Sequence, residues 1–155
     1  VAFPPRAFYP VSDDFTMRWG NWRPTGSDTD FNANFKAGYT APPSMKIAGN
    51  RSGSGCFLKS FPVSPGKSYE LSVWVRQENG KKVSLSVQGQ KDGKFLGLPP
   101  VSSAVPGGKD WTLLKLDFSV PAQGKWAECD KLLVTLGSNG PGSVTWFDDF
   151  TMKEK

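Results

Sequence analysis

Residues 68–77, with the sequence SYELSVWVRQ, indicate the fold class because apolar and polar side chains alternate along them. An extended chain places these side chains on two opposite faces: Tyr69, Leu71, Val73 and Val75 on one, and Glu70, Ser72, Trp74 and Arg76 on the other. The dipeptide Asn79-Gly80 follows, which favours a tight hairpin turn, and the alternation resumes after it. The stretch predicts two antiparallel strands that each bury one face.

The rest of the chain repeats this pattern of short apolar stretches between turn residues. The 155 residues include 17 Gly and 13 Pro, spread along the whole length. Further strands are expected at 14–18, 44–48, 56–63, 112–120, 131–136 and 144–152, with residues 19–43 as a long, turn-rich connection. We predict an all-β protein, a two-sheet antiparallel β-sandwich (jelly roll) that forms one domain over residues 1–155.

Composition narrows the classes of function. Histidine is absent, which removes the usual general base near neutral pH and the commonest metal ligand. The net charge of +5 comes from dispersed Lys and Arg, so we expect no nucleic-acid partner, while a polyanionic polysaccharide stays compatible. No apolar run approaches the ~20 residues of a membrane span, so we expect no membrane partner.

The two cysteines and the first residues of the chain bear on whether it contains a disulfide and on the kind of protein it comes from. Cys56 and Cys129 form no metal-binding motif, and either a disulfide or two buried thiols fits the sequence. The chain starts at Val1 without a signal peptide, as a processed or excised segment does. We expect a monomeric module taken from a larger secreted or cell-surface protein.

The polar face of residues 68–77 has an unusual composition for a solvated strand. If a hairpin joins the two strands, Trp74 and Arg76 lie beside Gln88 and Gln90. An indole ring can stack on the C–H face of a sugar, amides match its hydroxyl groups, and the Arg fork suits a uronate or a sulfate. This face is therefore suited to a glycan. The alternatives are that Trp74 packs under a loop or the Pro-rich N-terminus, and that the two Gln are merely solvated.

Three further tryptophans are candidates for the border of such a site. Trp19 and Trp22 fall in the turn-rich stretch after the first expected strand, where either can form the wall of a cleft. Trp126 follows Gly124-Lys125 in a loop, where an apolar ring is expected to be exposed. By contrast, Trp111 precedes an apolar strand and is expected in the core.

Paired carboxylates are the other group of residues that suggests chemistry. They are Asp13 with Asp14 near the start of the chain and Asp148 with Asp149 near its end. Such pairs can perform acid–base work on a glycosidic bond, hold Ca²⁺ through hard oxygen ligands, or cap turns. Calcium binding and a plain structural role are both open, and catalysis has the least support.

Four segments together carry a resemblance to a known family. They are residues 43–47, 65–76, 111–121 and 144–152, and they resemble, in the same order, strands of the jelly-roll carbohydrate-binding modules of families 4, 9, 16 and 22. The resemblance implies a sandwich that binds a glycan on a concave face or at loops by one edge. It also implies a structural calcium ion held in part by Asp148 or Asp149. The family's early strand often supplies a Glu ligand, whereas this chain has Ser12-Asp13-Asp14-Phe15 there.

The expected function is that of a non-catalytic module that tethers an attached glycoside hydrolase or polysaccharide lyase to its substrate. The expected ligand is a neutral β-glycan or an anionic plant or algal polysaccharide. A structural or protein-interaction sandwich is the alternative. A jelly-roll lyase or hydrolase is a weaker one, because lyases of that shape resemble one another in using His, which is missing here.

Overall fold

The structure, a computed structural model, describes residues 11–13, 19–35 and 44–155, and of residues 11–13 and 33–35 it describes the backbone alone. These residues form strands and one short 3-10 helix, Lys125–Glu128, and no α-helix. The strands are β1 (Val11–Asp13), β2 (Gly20–Trp22), β3 (Asp30–Phe35), β4 (Ser44–Ala48), β5 (Ser54–Pro62), β6 (Ser68–Glu78), β7 (Lys82–Lys91), β8 (Lys94–Phe95), β9 (Val101–Pro106), β10 (Thr112–Ser119), β11 (Lys131–Asn139) and β12 (Val144–Glu154).

The strands form two antiparallel sheets, which confirms the predicted β-sandwich. Sheet A has the order β10-β6-β12-β4-β3, with β1 also paired to β12. Sheet B has the order β2-β5-β11-β7-β8, with β9 also paired to β7. Most successive strands lie in different sheets, so the chain crosses repeatedly from one sheet to the other, as in a jelly roll.

The core lies between the sheets and is built by the period-two alternation. On β6, Tyr69, Leu71, Val73 and Val75 are buried, and on β7 the inward residues are Val83, Leu85 and Val87. Aromatic rings from three other segments complete this core, with Trp19, Phe61 and Phe150 packed within 6 Å of one another by ring centroid. Burial of each such ring removes about 150–250 Å² of surface from water, which makes these rings large contributors to the stability of the core.

Seven of the predicted strands are observed in the structure. The strand at 44–48 has the predicted bounds, and the others from 56 onward agree to within a few residues. The stretch 19–43, expected to be a long connection, contains β2 and β3 instead. Strands β8 and β9 were also not predicted, and the expected strand at 14–18 lies outside the described residues.

The predicted hairpin between β6 and β7 is wrong. Strand β6 pairs with β10 and β12 in sheet A, whereas β7 pairs with β11, β8 and β9 in sheet B. A type I′ hairpin turn needs positive φ at both central residues, but here Asn79 has φ 57° while Gly80 is not among the residues with positive φ. The turn therefore carries the chain across the sandwich.

A buried amide stabilises this crossing. Gln77 faces the interior and is 2% exposed. Its Nε2 has two N–H groups and lies within hydrogen-bond distance of three acceptors: Thr145 Oγ1 at 3.0 Å, Ser138 Oγ at 3.2 Å and the Lys82 carbonyl at 3.3 Å. The amide thus joins β6 to β12 within sheet A and to β11 and β7 in sheet B. A buried polar group costs free energy unless it is bonded, and these bonds satisfy the Gln77 amide nitrogen, whereas its Oε1 is buried without a hydrogen-bond partner among the described residues.

The structure also bears on membrane spans and on the two cysteines. None of the helices in the described ranges is long and apolar enough to span a membrane. Cys56 and Cys129 are both free, so the disulfide alternative is wrong. Cys129 is buried and its Sγ donates to the Lys131 carbonyl, while Cys56 is half-buried on β5.

Candidate functional site: the outer face of sheet B

The outer face of sheet B is formed by the residues that alternate with its core positions. The register places them in rows across the strands. The first row runs Trp22, Cys56, Gly137 and Ser84; the next rows are Gly20, Leu58, Thr135 and Ser86, then Ser60, Leu133 and Gln88, and last Pro62, Lys131, Gln90 and Phe95. Strand β9 extends the first two rows with Ala104 and Ser102, so six strands from distant parts of the sequence contribute to one surface.

This face carries hydrogen-bonding side chains that have no hydrogen-bond partner among the residues the structure describes. Ser84, Ser86, Gln88 and Thr135 are half-buried, and their side chains make no hydrogen bond with any described residue. Gln90 differs, because its Oε1 accepts a hydrogen bond of 2.8 Å from Ser60 Oγ and it is 9% exposed. The row thus offers free amide and hydroxyl groups, arranged by the strands and open to a ligand.

Two exposed aromatic rings border this face. Trp22 on β2 is 55% exposed and Phe95 on β8 is 58% exposed, and they lie at opposite edges and opposite ends of the sheet. The strand spacing and rise place them about 20 Å apart both across and along the strands. A face of free polar groups between two exposed rings can hold an extended ligand with both apolar and hydroxyl surfaces.

The outer face of sheet A differs because its charged side chains are paired. Glu70 lies 3.2 Å from Lys153 and 3.6 Å from Lys115, and two further ion pairs, Lys155 with Asp117 and Lys67 with Glu154, lie along the same sheet. The hydrogen bond from Lys153, with the charge of Lys115, holds the pKa of Glu70 below its usual value. These charges stabilise the sheet, and little of their hydrogen-bonding capacity is left for a ligand.

Trp74 and Arg76 belong to this sheet A face, so the predicted combination with Gln88 and Gln90 is wrong. The two groups lie on opposite sides of the sandwich, because β6 and β7 are in different sheets. Arg76 donates to Glu78 Oε1 at 2.8 Å and to the Lys109 carbonyl at 2.9 Å. Its guanidinium also lies 4.6 Å from the centroid of the Trp146 ring, a cation–π contact.

Of the three tryptophans expected at the border of a site, Trp22 is exposed, whereas Trp19 and Trp126 are more buried than a loop ring is expected to be. Trp19 is 6% exposed and packs edge-on against Phe61 and Phe150, because it precedes β2 on the inward side while Trp22 points outward. Trp126 is half-buried, packs on Phe118 at 5.0 Å between ring centroids and covers Gly89. Both rings fill the core or its edge, so neither forms a wall of this face.

Asp148 and Asp149 lie at an irregular point of sheet A. Asp148 is fully buried opposite Trp74, and a bulge follows at which Asp149 adopts φ 48° and donates its N–H to Asp148 Oδ1. Strand β1 places the Asp13 backbone opposite Phe150, next to this bulge. Asp14 and the side chain of Asp13 lie outside the described residues, and no metal-holding group of three acidic, Cys or His side chains occurs among the described ones.

Sequence reasoning missed several residues of the sheet B face. Phe95, Thr135 and Ser60 were not singled out. They lie on β8, β11 and β5, and the sequence does not show that β8 and β11 pair with β7 or that β5 pairs with β11. In residues 131–136, with the sequence KLLVTL, Thr135 is the one uncharged polar residue among apolar ones, which is a usable signal for its outward position. Nothing in the sequence around Phe95 distinguishes an exposed ring from a core ring.

A family comparison matches most of the chain. Residues 10–130 match the CBM_4_9 family model, described as a carbohydrate binding domain. No curated protein matches the chain.

Solved structures share the fold at low sequence identity. The CBM22-2 xylan-binding domain from Paenibacillus barcinonensis Xyn10C has a TM-score of 0.70 at 12% identity, over 94% of this chain and 99% of that one. TmCBM61, solved in complex with β-1,4-galactotriose, has a TM-score of 0.64 at 17% identity, over 92% and 91%. The enzymatically active domain of bacteriophage CBA120 tailspike protein 4 has a TM-score of 0.66 at 10% identity. The match covers 89% of this chain but only 19% of that larger chain.

Proposed function

Because this chain belongs to the carbohydrate binding domain family, whose members bind carbohydrate without catalysis, we propose that the outer face of sheet B is the surface that holds its polysaccharide. One observation carries the proposal: the free side chains of Ser86, Gln88 and Thr135 lie between the exposed rings of Trp22 and Phe95. The outer face of sheet A offers no comparable set among its described residues.

The chemistry of this face matches a sugar chain. Each pyranose ring has an apolar C–H surface, which stacks on an indole or phenyl ring, and an edge of hydroxyl groups, which exchange hydrogen bonds with amides and hydroxyls. Strands hold the polar groups in fixed rows, so they lose little conformational entropy on binding. The distance between the two rings suits an extended chain of several sugars.

The ligand is proposed to be a β-linked polysaccharide. The similar structures support this class, since one is described as xylan-binding and another was solved with β-1,4-galactotriose. A flat, strand-built face also suits the extended shape of such polymers. Of the residues singled out from sequence, Trp22, Gln88 and Gln90 lie on this face.

The biological role is proposed to be tethering. A monomeric module that binds a polysaccharide raises the effective concentration of any catalytic domain joined to it, here a glycoside hydrolase or polysaccharide lyase. This role places the chain in a secreted or cell-surface protein, where polysaccharides are accessible. Support comes from the similar xylan-binding domain, which is likewise one part of a named larger protein.

A structural calcium ion is proposed at the bulge of β12. The fully buried Asp148 carboxylate supplies a hard oxygen, and the register of β1 brings Asp13 to the same place. Asp13, Asp14, Asp148 and Asp149 are the candidate ligands, with backbone oxygens completing the six to eight that Ca²⁺ prefers. When bound, the ion would fix β1 against β12 and has no part in sugar recognition.

Substitutions on the two faces test the proposed site. We expect Trp22→Ala and Gln88→Ala each to weaken binding to a β-1,4-linked polysaccharide such as xylan by about tenfold, or ~1.4 kcal/mol, since each removes one ring contact or one set of hydrogen bonds. Trp74→Ala on the other face serves as the control and should leave affinity within about twofold, as measured by isothermal titration calorimetry. Loss of binding in Trp74→Ala with normal binding in Trp22→Ala would move the site to sheet A.

A further inference from the structure

Among the described residues in the rows of the sheet B face, one side chain carries a formal charge, and it has no ion-pair partner there. Lys131 stands on the central strand β11, is exposed, and forms no ion pair with a described residue. No Asp or Glu occurs in the rows of this face. By contrast, Lys115 and Lys153 on the outer face of sheet A share Glu70.

The position of Lys131 relates it to one of the two exposed rings. The last row of the face runs Pro62, Lys131, Gln90 and Phe95, so two strand spacings, about 10 Å, separate the lysine from the phenyl ring. Gln90 lies between them, and its Oε1 is already occupied by Ser60. If a sugar stacks on the Phe95 ring, a substituent of that sugar that points along this row can therefore contact the Lys131 ammonium group.

The surrounding charges reinforce a positive potential at this corner. Lys94 precedes Phe95, and Lys125 has its ammonium group beside Gly97; neither forms an ion pair with a residue the structure describes. Lys91 is paired with Asp130 at 3.9 Å, and Asp130 also accepts a hydrogen bond from the Asp92 N–H. Asp92 and Glu128 are the remaining acidic residues here, so Lys94, Lys125 and Lys131 outnumber them.

We propose that the corner formed by Lys131 and Phe95 is a subsite for an anionic sugar, one that carries a carboxylate or a sulfate ester. This inference rests on the proposed function, and it adds the class of sugar that one end of the face selects. Phe95 supplies the stacking surface and Lys131 supplies the cation. The bond between an ammonium and an anionic oxygen is charge-assisted, which makes it stronger than the neutral hydrogen bonds elsewhere on the face.

The test compares matched acidic and neutral polymers. Glucuronoxylan is measured against the same polymer after carboxyl reduction, and a sulfated galactan against its desulfated form, by titration calorimetry at two salt concentrations. We expect the wild-type chain to prefer one acidic form about three- to tenfold at low salt and to lose this preference at high salt. The pair that shows the preference identifies the carboxylate or the sulfate as the group recognised.

Variants of lysines on the two faces complete the test. Lys131→Met should abolish the preference, Lys131→Arg should retain it, and Lys115→Met on sheet A should retain it as well. Equal binding of acidic and neutral forms by the wild-type chain, or an unchanged preference in Lys131→Met, would overturn the subsite while the proposed function stands. If the wild-type chain binds none of these polymers, the proposed function fails and the subsite fails with it.

Discussion

Trp19 and Trp22 show how much a residue's role depends on the side of a strand to which it belongs. They are three positions apart around β2, whose first and last residues, Gly20 and Trp22, point outward. Trp19 therefore faces the core beside Phe61 and Phe150, while Trp22 stands in solvent. The same side-chain chemistry serves stability at one position and is available for recognition at the other.

This difference predicts opposite effects on folding stability. Trp19→Ala should lower the free energy of unfolding by ~3–5 kcal/mol, because it leaves a cavity among packed aromatic rings. Trp22→Ala should change it by less than about 0.5–1 kcal/mol, because an exposed ring has few contacts to lose. Urea denaturation followed by circular dichroism measures both. Equal destabilisation would show that Trp22 is a structural residue.

Cys56 offers a readout of the binding face that needs no substitution. It lies directly opposite Trp22, and burial raises the pKa of its thiol above the ordinary value of 9.0. Alkylation by iodoacetamide should therefore be slow at pH 7 and still accelerate above pH 9, because the thiolate is the nucleophile.

A bound glycan should slow this alkylation about tenfold at saturation, by covering the row that holds Trp22 and Cys56. Cys129, which is buried just before β11 begins, should stay unreactive with or without ligand and serves as the internal control. Mass spectrometry of the labelled peptides gives both rates. Unchanged labelling of Cys56 in saturating polysaccharide would place the ligand elsewhere.

At the scale of elements, the sequence predicted strands better than their partners. The alternation at 68–77 correctly divided β6 into a core face and an outer face. It carried no information on which sheet the next strand joins, and the Asn79-Gly80 pair suggested a hairpin. The Gln77 side chain bonds across this crossing to Ser138 and Thr145, which lie more than 60 positions away, so the crossing involves contacts that no local sequence pattern reveals. The candidate site was divided between two sheets because of this single turn.

The same limit explains which site residues were found. Trp22, Gln88 and Gln90 were recognised by residue type and do lie on one face. Lys131 and Phe95 lie on the same face because β11 and β8 both neighbour β7 in sheet B. That strand order follows from packing over the whole molecule and is not visible in the sequence. Residue chemistry was thus readable from the sequence, whereas the neighbours of each residue were not.

The ion pairs that join strands of sheet A predict a pH dependence of stability. Glu70 on β6 is bonded to Lys153 on β12 and attracted by Lys115 on β10, and these lower its pKa below the ordinary 4.5. A carboxylate with a depressed pKa in the folded state stabilises the fold above its unfolded pKa. That contribution is lost as the pH falls through the folded value.

We therefore expect Glu70→Gln to have a lower Tm than the wild type at pH 6–7 and the difference to shrink as the pH falls below 4.5. Thermal unfolding between pH 3 and 7 measures this. Glu128→Gln, which removes an exposed carboxylate that has no ion pair among the described residues, is the matched control and should leave the profile unchanged. A constant difference between Glu70→Gln and wild type at all pH values would exclude the ion pair as its cause.

For the whole molecule, the proposed calcium ion should appear as a stability effect. An ion that binds only the folded state at about 100 times its Kd adds ~2.7 kcal/mol, which for a domain of this size raises Tm by about 5–10 °C. Chelation with EDTA should lower Tm by this amount, and Ca²⁺ should restore it. Asp148→Asn should remove the response, whereas a Tm insensitive to EDTA and Ca²⁺ in the wild type would argue against the site.

The central position of β11 in sheet B has a consequence for how the molecule folds. On one side of it lie β2 and β5, and on the other β7, β8 and β9, so only β11 joins the two halves of the sheet. Strand β11 follows all of these strands in the chain. The two halves of the sheet are therefore joined only when residues 131–139 pair with β5 on one side and β7 on the other. Such distant pairings fold slowly, in about milliseconds to seconds. The proposed glycan surface is thus absent from every partly folded form that lacks β11, so a glycan that binds there is expected to slow unfolding without guiding folding.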